Sequence, residues 1–517
     1  MKHFSGSNVS RTLSRSLCAC GLGLLLTGAN LPHGWAQPSG LPNLGAASGL
    51  ELSPLLERTL GDAIMEQGRR DPTYIADAQV NQYLTALGHR LVAAAPAGSG
   101  QDITVFAVRD AQINAFALPG GYVGIHSGLL VAADSESELA GVLAHEIGHV
   151  LQRHVARGMT QQARSSHLMM ASVAAALLAA LAGSGDLAMG VASFGQAAAI
   201  DQQLGFSRQA EQEADRIGMD MLRRAGFDPL GMVRTFGRLM NLSRLNEGSG
   251  AVYASTHPLS IQRMSDMENR ARNLQLSAID HQDSADFWFV RAKLRIMQAR
   301  ASSTLGNNMS YALAELERET TLAGARASAA WYGLAYAAMQ RNDSARTRDY
   351  LRRAGWAGDD KHNPDIPPDY PPIANLAVAL LLKQEKWEAA LALSREAVRQ
   401  WPDDLESALT RTDALQTTGQ HDEAVNFLAQ ALLRWPQEAR LYQLQAISFE
   451  RLQQGVQARR SMAAYYEKMG ALPAAVEQLR QARAMSRDFY TQTQLDVHIR
   501  QLQETLMENR ALLERFR

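Results

Sequence analysis

The chain has 517 residues, 46% hydrophobic and 20% charged, with 51 basic against 52 acidic side chains and a net charge of −1. That balance fits a globular protein of more than one domain and excludes extended disorder and a polytopic membrane protein. There is no global positive field and no basic run of five or more, so nucleic acid is not expected as a partner.

In chain order, Lys2, Arg11 and Arg15 precede an apolar run from Leu17 to Leu26 and a polar stretch ending Gly34-Trp-Ala-Gln37. This is the layout of a secretory signal peptide over 1–36. Its apolar core, about ten residues, is shorter than the roughly 17–25 that span a bilayer. Gly28, Asn30, Pro32 and Gly34 argue against a continuing buried helix. No lipid-anchoring cysteine follows the core, and Arg11 and Arg15 are not adjacent as a twin-arginine signal requires. The two cysteines, Cys18 and Cys20, lie inside the segment. Cleavage near Ala36 would remove both, together with three positive charges, taking the net charge from −1 to −4. A secreted chain without cysteine in an oxidising compartment relies on its core and any bound metal.

Residues 37–50 are rich in Pro and Gly and read as a linker. Helical periodicity begins near 51 and is clear over 83–94, followed by a turn from Pro96 to Gly100. The strand signal is confined to Ile103–Val108, Ala115–Leu118 and Tyr122–Ile125, with two strands folding around Pro119-Gly-Gly121 into a short sheet. A helix is expected over 136–155. The small-residue segments from Leu168 to Ile200 read as a buried or membrane-proximal hairpin, being short for spanning helices. That leaves peripheral membrane contact through 168–200 open.

Beyond about 280 the chain turns to Ala-, Leu-, Arg- and Glu-rich helices. Trp401-Pro402 recurs as Trp435-Pro436 after 34 residues, and Ala390, Ala424 and Ala458 repeat at the same interval. This is the period of tetratricopeptide helix pairs. A Pro- and Asp-rich loop over 357–373 interrupts the register upstream. The fold class expected is mainly α: a helical domain with a small β-sheet over 51–278, then an α-solenoid of tetratricopeptide repeats over 279–517.

The chemistry centres on His145-Glu-Ile-Gly-His149. Histidines at i and i+4 share a helix face, so both imidazoles can bind one tetrahedral metal, and Glu146 stands beside it as a general base. The metzincin pattern is excluded because Gln152 and Val155 occupy the required Gly and His positions. A third ligand about twenty residues downstream is excluded too, since no carboxylate lies between His149 and Asp186. The later carboxylates are Asp186, Asp201, Glu211, Glu213 and Asp215. Glu211 and Asp215 share a helix face, so Glu211 can bind metal while Asp215 accepts the free N–H of a ligand histidine. Glu213 should point elsewhere.

The two motifs together, with Asn114-Ala-Phe-Ala-Leu-Pro-Gly-Gly-Tyr122 and Ser255-Thr-His-Pro258 followed by Arg263, resemble the HtpX-like and CAAX-prenyl-protease superfamily of zinc metalloendopeptidases. The resemblance implies that 51–278 is a zincin-type metallopeptidase domain with one Zn2+ per subunit held by His145, His149 and Glu211, Glu146 as base, and Asp215 as a supporting or proton-donating residue. It implies that the strand at Asn114, Ala115 and Phe116 receives an unfolded substrate by strand addition. His257, which alone would read as a turn residue before proline, then lies near the metal, filling the open coordination site at rest or stabilising an oxyanion; Arg263 is a second candidate for the latter. With the signal peptide and repeats, the implied setting is the periplasm, and the implied partners are unfolded or misassembled outer-membrane proteins and the outer-membrane β-barrel assembly machinery. The alternative is a mainly chaperone-like repeat scaffold with latent protease activity. Relatives of this kind can carry cysteines among the repeats; this chain has none there, so disulfide-dependent regulation is not expected.

Overall fold

The computed structural model describes residues 53–95, 102–158, 206–244, 253–254, 256–274, 281–301, 305–358 and 369–514. The signal peptide, the linker, the 168–200 segments and the expected domain boundary at 278 lie outside the described residues. Helix α1 (Pro54–Gly68) starts with proline in its first turn after the N-cap Ser53, and α2 (Ala78–Ala93) starts after Asp77, whose side chain accepts from the Val80 N–H. Strands β1 (Thr104–Val108), β2 (Ala115–Leu118) and β3 (Tyr122–His126) follow, then α3 (Ser127–Ala132) and α4 (Glu136–Leu151).

The sheet has three strands in the order β1-β3-β2 rather than two. β2 and β3 form the expected hairpin, whose turn places Gly120 and Gly121 at φ 79° and 89°, conformations that favour glycine. β1 adds to the far side of β3 in parallel. β2 is therefore an edge strand. His126 N–H bonds to the Asn114 carbonyl at 3.0 Å, so the alternation of an antiparallel ladder turns the backbone of Ala115 and Ala117 away from β3.

α4 ends four residues earlier than the sequence period suggests. Arg153 takes φ 53°, a left-handed turn that breaks the helix before a further helical stretch at 154–158. After it come α5 (Arg208–Arg224), α6 (Leu230–Arg244) and α7 (Ile261–Leu274). The remainder is helical: α8 (Ala285–Ala301), α9 (Leu305–Glu319), α10 (Gly324–Gln340), α11 (Ser344–Ala354), α12 (Pro371–Lys383), α13 (Trp387–Gln400), α14 (Leu405–Thr417), α15 (His421–Arg434), α16 (Ala439–Arg451), α17 (Gly455–Lys468), α18 (Leu472–Met485) and α19 (Phe489–Glu514).

The 34-residue period is present in the helix starts: Trp387, His421 and Gly455 in one series, Pro371, Leu405 and Ala439 in the other. Ala390, Ala424 and Ala458 are buried between the paired helices, and Trp401 and Trp435 cap α13 and α15 so that each proline falls in the turn to the next pair. The loop upstream is shorter than 357–373, because Pro371 already opens α12 as an N-terminal helix proline. α8 packs on α2 and α3, and α14 packs on α2, so one core continues from the sheet region into the repeats. Glu136 reinforces that junction, accepting hydrogen bonds from Tyr83 Oη at 3.1 Å and from Ser284 N and Oγ at 3.0 and 2.7 Å. Among the described residues, no helix is long and apolar enough to cross a membrane.

Candidate metal centre

The site is built where α4 crosses α5. Each helix is started by a serine N-cap, Ser135 on α4 and Ser207 on α5. Each then presents two small residues one turn apart to the other. A Cβ on Gly148 would lie 3.1 Å from the Ala214 backbone, and one on Gly218 would lie 3.2 Å from the Ala144 backbone. Ala144 and Gly148 thus face Ala214 and Gly218, letting the two backbones approach closely. The chemistry-bearing residues flank that seam: His145 and His149 directly follow the small pair on α4, while Asp215 follows Ala214 and Glu211 lies one turn before it on α5. All four are at most 2% exposed.

His145, His149, Glu211 and His257 each point one ligating atom at a common centre. His145 Nε2 lies 3.1 Å from His149 Nε2, 3.3 Å from His257 Nδ1 and 3.5 Å from Glu211 Oε2. Glu211 Oε1 lies 3.4 Å from His149 Nε2 and 3.0 Å from His257 Nδ1. Donors at about 2.0–2.1 Å from a tetrahedral zinc stand about 3.3 Å apart, so the residues present fit a four-coordinate metal of the zinc type. Three imidazoles and a carboxylate converging in a buried volume is also the donor chemistry such an ion requires.

Around this centre the charges interlock. Asp215 Oδ1 lies 3.0 Å from His145 Nδ1 and favours the imidazole proton there, leaving Nε2 for the centre. Arg263, 3% exposed, holds Asp215 through two bonds of 2.8 Å, reaches Glu211 Oε2 at 2.5 Å and donates to the Pro258 carbonyl at 2.8 Å. Its donors are therefore committed to carboxylates and backbone, and it is not placed as an open oxyanion donor. Burial alone would lower the His145 pKa, but the carboxylates of Asp215 and Glu211, as acceptors for its ring N–H groups, hold it up at about 9. His149 is pushed well below the usual histidine range, first by burial and then by the neighbouring His145. Burial pushes Glu211 up, yet the facing His257, His145 and His149 keep its carboxyl well below the usual range. A metal would take over the positive role that protons play among these groups.

Comparison with known proteins agrees with this geometry. Residues 78–271 match the model of peptidase family M48, and 381–447 match a tetratricopeptide repeat model. A beta-barrel assembly-enhancing protease from Escherichia coli is 33% identical over 66% of this chain and 68% of its own length. The chain belongs to peptidase family M48, alongside the beta-barrel assembly-enhancing proteases. A putative beta-barrel assembly-enhancing protease from Vibrio cholerae is 40% identical over 50% of this chain, and the match spans only about half, 52%, of that relative's length. The metalloprotease LoiP of Escherichia coli is 29% identical over 49% of this chain and 95% of its own length.

Within this M48 site, Glu146 is fully buried beside the metal-binding cluster. Tyr253 Oη donates to Glu146 Oε1 at 3.0 Å, while Glu146 Oε2 has no hydrogen-bond partner among the described residues. Tyr253 also stacks on His257 at 4.5 Å. The one sequence signal for Tyr253 is its position four residues before His257, a helical turn closed by the His257 N–H to Tyr253 carbonyl bond of 2.9 Å. Glu213 does turn away from the cluster, but to a partner the sequence reading missed. His154 Nδ1 lies 3.0 Å from His149 Nδ1, and His154 Nε2 lies 3.2 Å from Glu213 Oε2. Of the strand residues, Asn114 and Ala115 are buried at the sheet edge beside α4, and the Phe116 ring packs over Gly124.

Proposed function

We propose that this chain is a periplasmic zinc metalloendopeptidase that degrades misfolded or stalled outer-membrane proteins and assists their assembly. The observation that carries the catalytic reading is the buried set His145, His149, Glu211 and His257 at tetrahedral spacing, with the unpartnered Glu146 Oε2 beside it. Zinc bound there would supply Lewis-acid polarisation of the scissile carbonyl. Glu146 Oε2 takes a proton from the attacking water and returns it to the leaving amine, while Tyr253 fixes the other carboxylate oxygen. Asp215 keeps the His145 proton on Nδ1, and Arg263 keeps Asp215 ionised and in place.

His257 completes a four-residue protein set, whereas a catalytic zinc keeps one position open. We read its position as a resting arrangement, which His257 must leave before substrate enters. Ala115 and Ala117 on β2 turn their backbone donors and acceptors away from β3 but are at most 2% exposed, so an extended peptide pairs with this edge only after what covers it moves aside, an arrangement that suits unfolded clients over folded ones. The periplasmic assignment rests on the signal-peptide pattern of residues 1–36. The link to outer-membrane proteins and the β-barrel assembly machinery rests on the names of the relatives, with the repeats as the docking region. Glu146→Gln should bind zinc like the unchanged chain and lose cleavage of an unfolded β-barrel protein; full activity in that variant would refute the assignment.

A further inference from the structure

We propose that His154 and Glu213 are positioning residues that orient His149 toward the metal, forming a hydrogen-bonded relay from a half-exposed carboxylate through one imidazole to the next. This rests on the reading of His149 as a metal ligand.

The relay begins with a break in the chain. Residue 154 is five positions after His149, which on a continuous helix would place it roughly 140° around the axis. The left-handed turn at Arg153 folds the backbone and brings the two rings together, 4.9 Å between centroids and nearly perpendicular. Arg153 is held in that turn by an ion pair with the buried Glu57 at 3.0 Å. His154 is 5% exposed and uses both ring nitrogens, Nδ1 toward His149 Nδ1 and Nε2 toward Glu213 Oε2.

Only one proton arrangement satisfies every atom when His149 Nε2 faces a metal. Its lone pair must be free there, so His149 carries its proton on Nδ1 and donates it to His154 Nδ1. His154 then carries its own proton on Nε2 and donates it to the Glu213 carboxylate. Reversing either step leaves two lone pairs or two N–H groups facing each other. The two ligand histidines of α4 are therefore held differently: His145 by Asp215 directly at 3.0 Å, His149 by a carboxylate one imidazole removed. Phe206, with its ring centroid 4.0 Å from that of His149, limits the ring to one plane but supplies no acceptor. Without His154 the Nδ1–H would be buried and unpaired, or the ring would turn.

The test uses the full chain and two ions, Zn2+ by chelator competition and Co2+ by its visible absorption. His154→Phe preserves the ring and removes both bonds; it should weaken Zn2+ binding about 10–100-fold and change the Co2+ band intensity. His154→Asn keeps an acceptor near the Nδ1 position and should bind within about threefold of the unchanged chain. Glu213→Gln should weaken binding several-fold in the unchanged background and have no effect in His154→Asn, because the relay is already cut. Unchanged affinity and spectrum in His154→Phe, or equal effects of Glu213→Gln in both backgrounds, would overturn the relay. Should His154→Phe fail to fold, the Asn and Gln variants carry the same decision. His149→Ala separates the two levels: undiminished Zn2+ affinity there refutes His149 as a ligand, whereas loss there with no change in His154→Phe refutes the relay alone.

Discussion

The crossing of α4 and α5 makes Gly148 the most informative position to perturb, because it contributes no chemistry of its own. In Gly148→Ala the new Cβ would stand 3.1 Å from both the Cα and the carbonyl oxygen of Ala214, and 3.4 Å from its Cβ. Comfortable carbon contacts lie near 3.5–4.0 Å, so α5 must retreat by about 0.5 Å at that point. Metal–ligand distances tolerate only about 0.2 Å, and Glu211 sits on α5, so the carboxylate moves out of range of a centre defined by His145 and His149. The cost to folding is smaller than the cost to the site. Overpacking costs about 1–3 kcal/mol, and alanine returns up to about 1 kcal/mol of helix propensity, leaving about 0–2 kcal/mol of net destabilisation. The expected result is a folded chain whose metal-free form is destabilised by no more than about 2 kcal/mol while Zn2+ affinity falls about 10–100-fold, or about 1.4–2.7 kcal/mol. Chelator competition and thermal unfolding of the metal-free chain measure the two separately. Unchanged affinity would show that the close approach at Gly148 does not set the reach of Glu211, and the account of the seam would fall.

Two further outcomes follow from the same cluster. Arg263→Leu leaves Asp215 and Glu211 buried without their shared cation and should destabilise the metal-free chain by about 3–5 kcal/mol in denaturant unfolding; a loss below about 1 kcal/mol would contradict the clamp. In the metal-free chain His145 has a pKa of about 9, raised above the ordinary value near 6.5. Its contribution to stability is therefore fully present below about pH 6.5 and is lost as pH rises through about 9. A metal competes with that proton, so Zn2+ affinity should strengthen with pH up to about 9 and level off above it. Calorimetry in buffers of different ionisation enthalpy at pH 7.5 should show at least one proton released per ion, and no release would refute it.

What could be read from the sequence, and what could not, follows from the range over which each signal is encoded. His145 with His149, and Glu211 with Asp215, are i, i+4 pairs, and a helix fixes such pairs on one face whatever surrounds it. The 34-residue spacing was readable for the same reason, since it is a property of one stretch of chain repeated. His154 was not readable, because its place depends on a left-handed residue at Arg153 that breaks the period by which the neighbouring residues were interpreted. The parallel partner of β1 and the convergence of Tyr253 and His257 depend on how distant segments meet, for which local spacing carries no term. Yet one long-range feature was written locally. Ala144 and Gly148 immediately precede His145 and His149, and Ala214 and Gly218 alternate with the acidic pair, so the surfaces that set the distance between helices share a register with the groups that converge across it. Spacing of reactive residues identifies which side chains can act together on one helix; spacing of the small residues beside them identifies which two helices come close enough to share a metal.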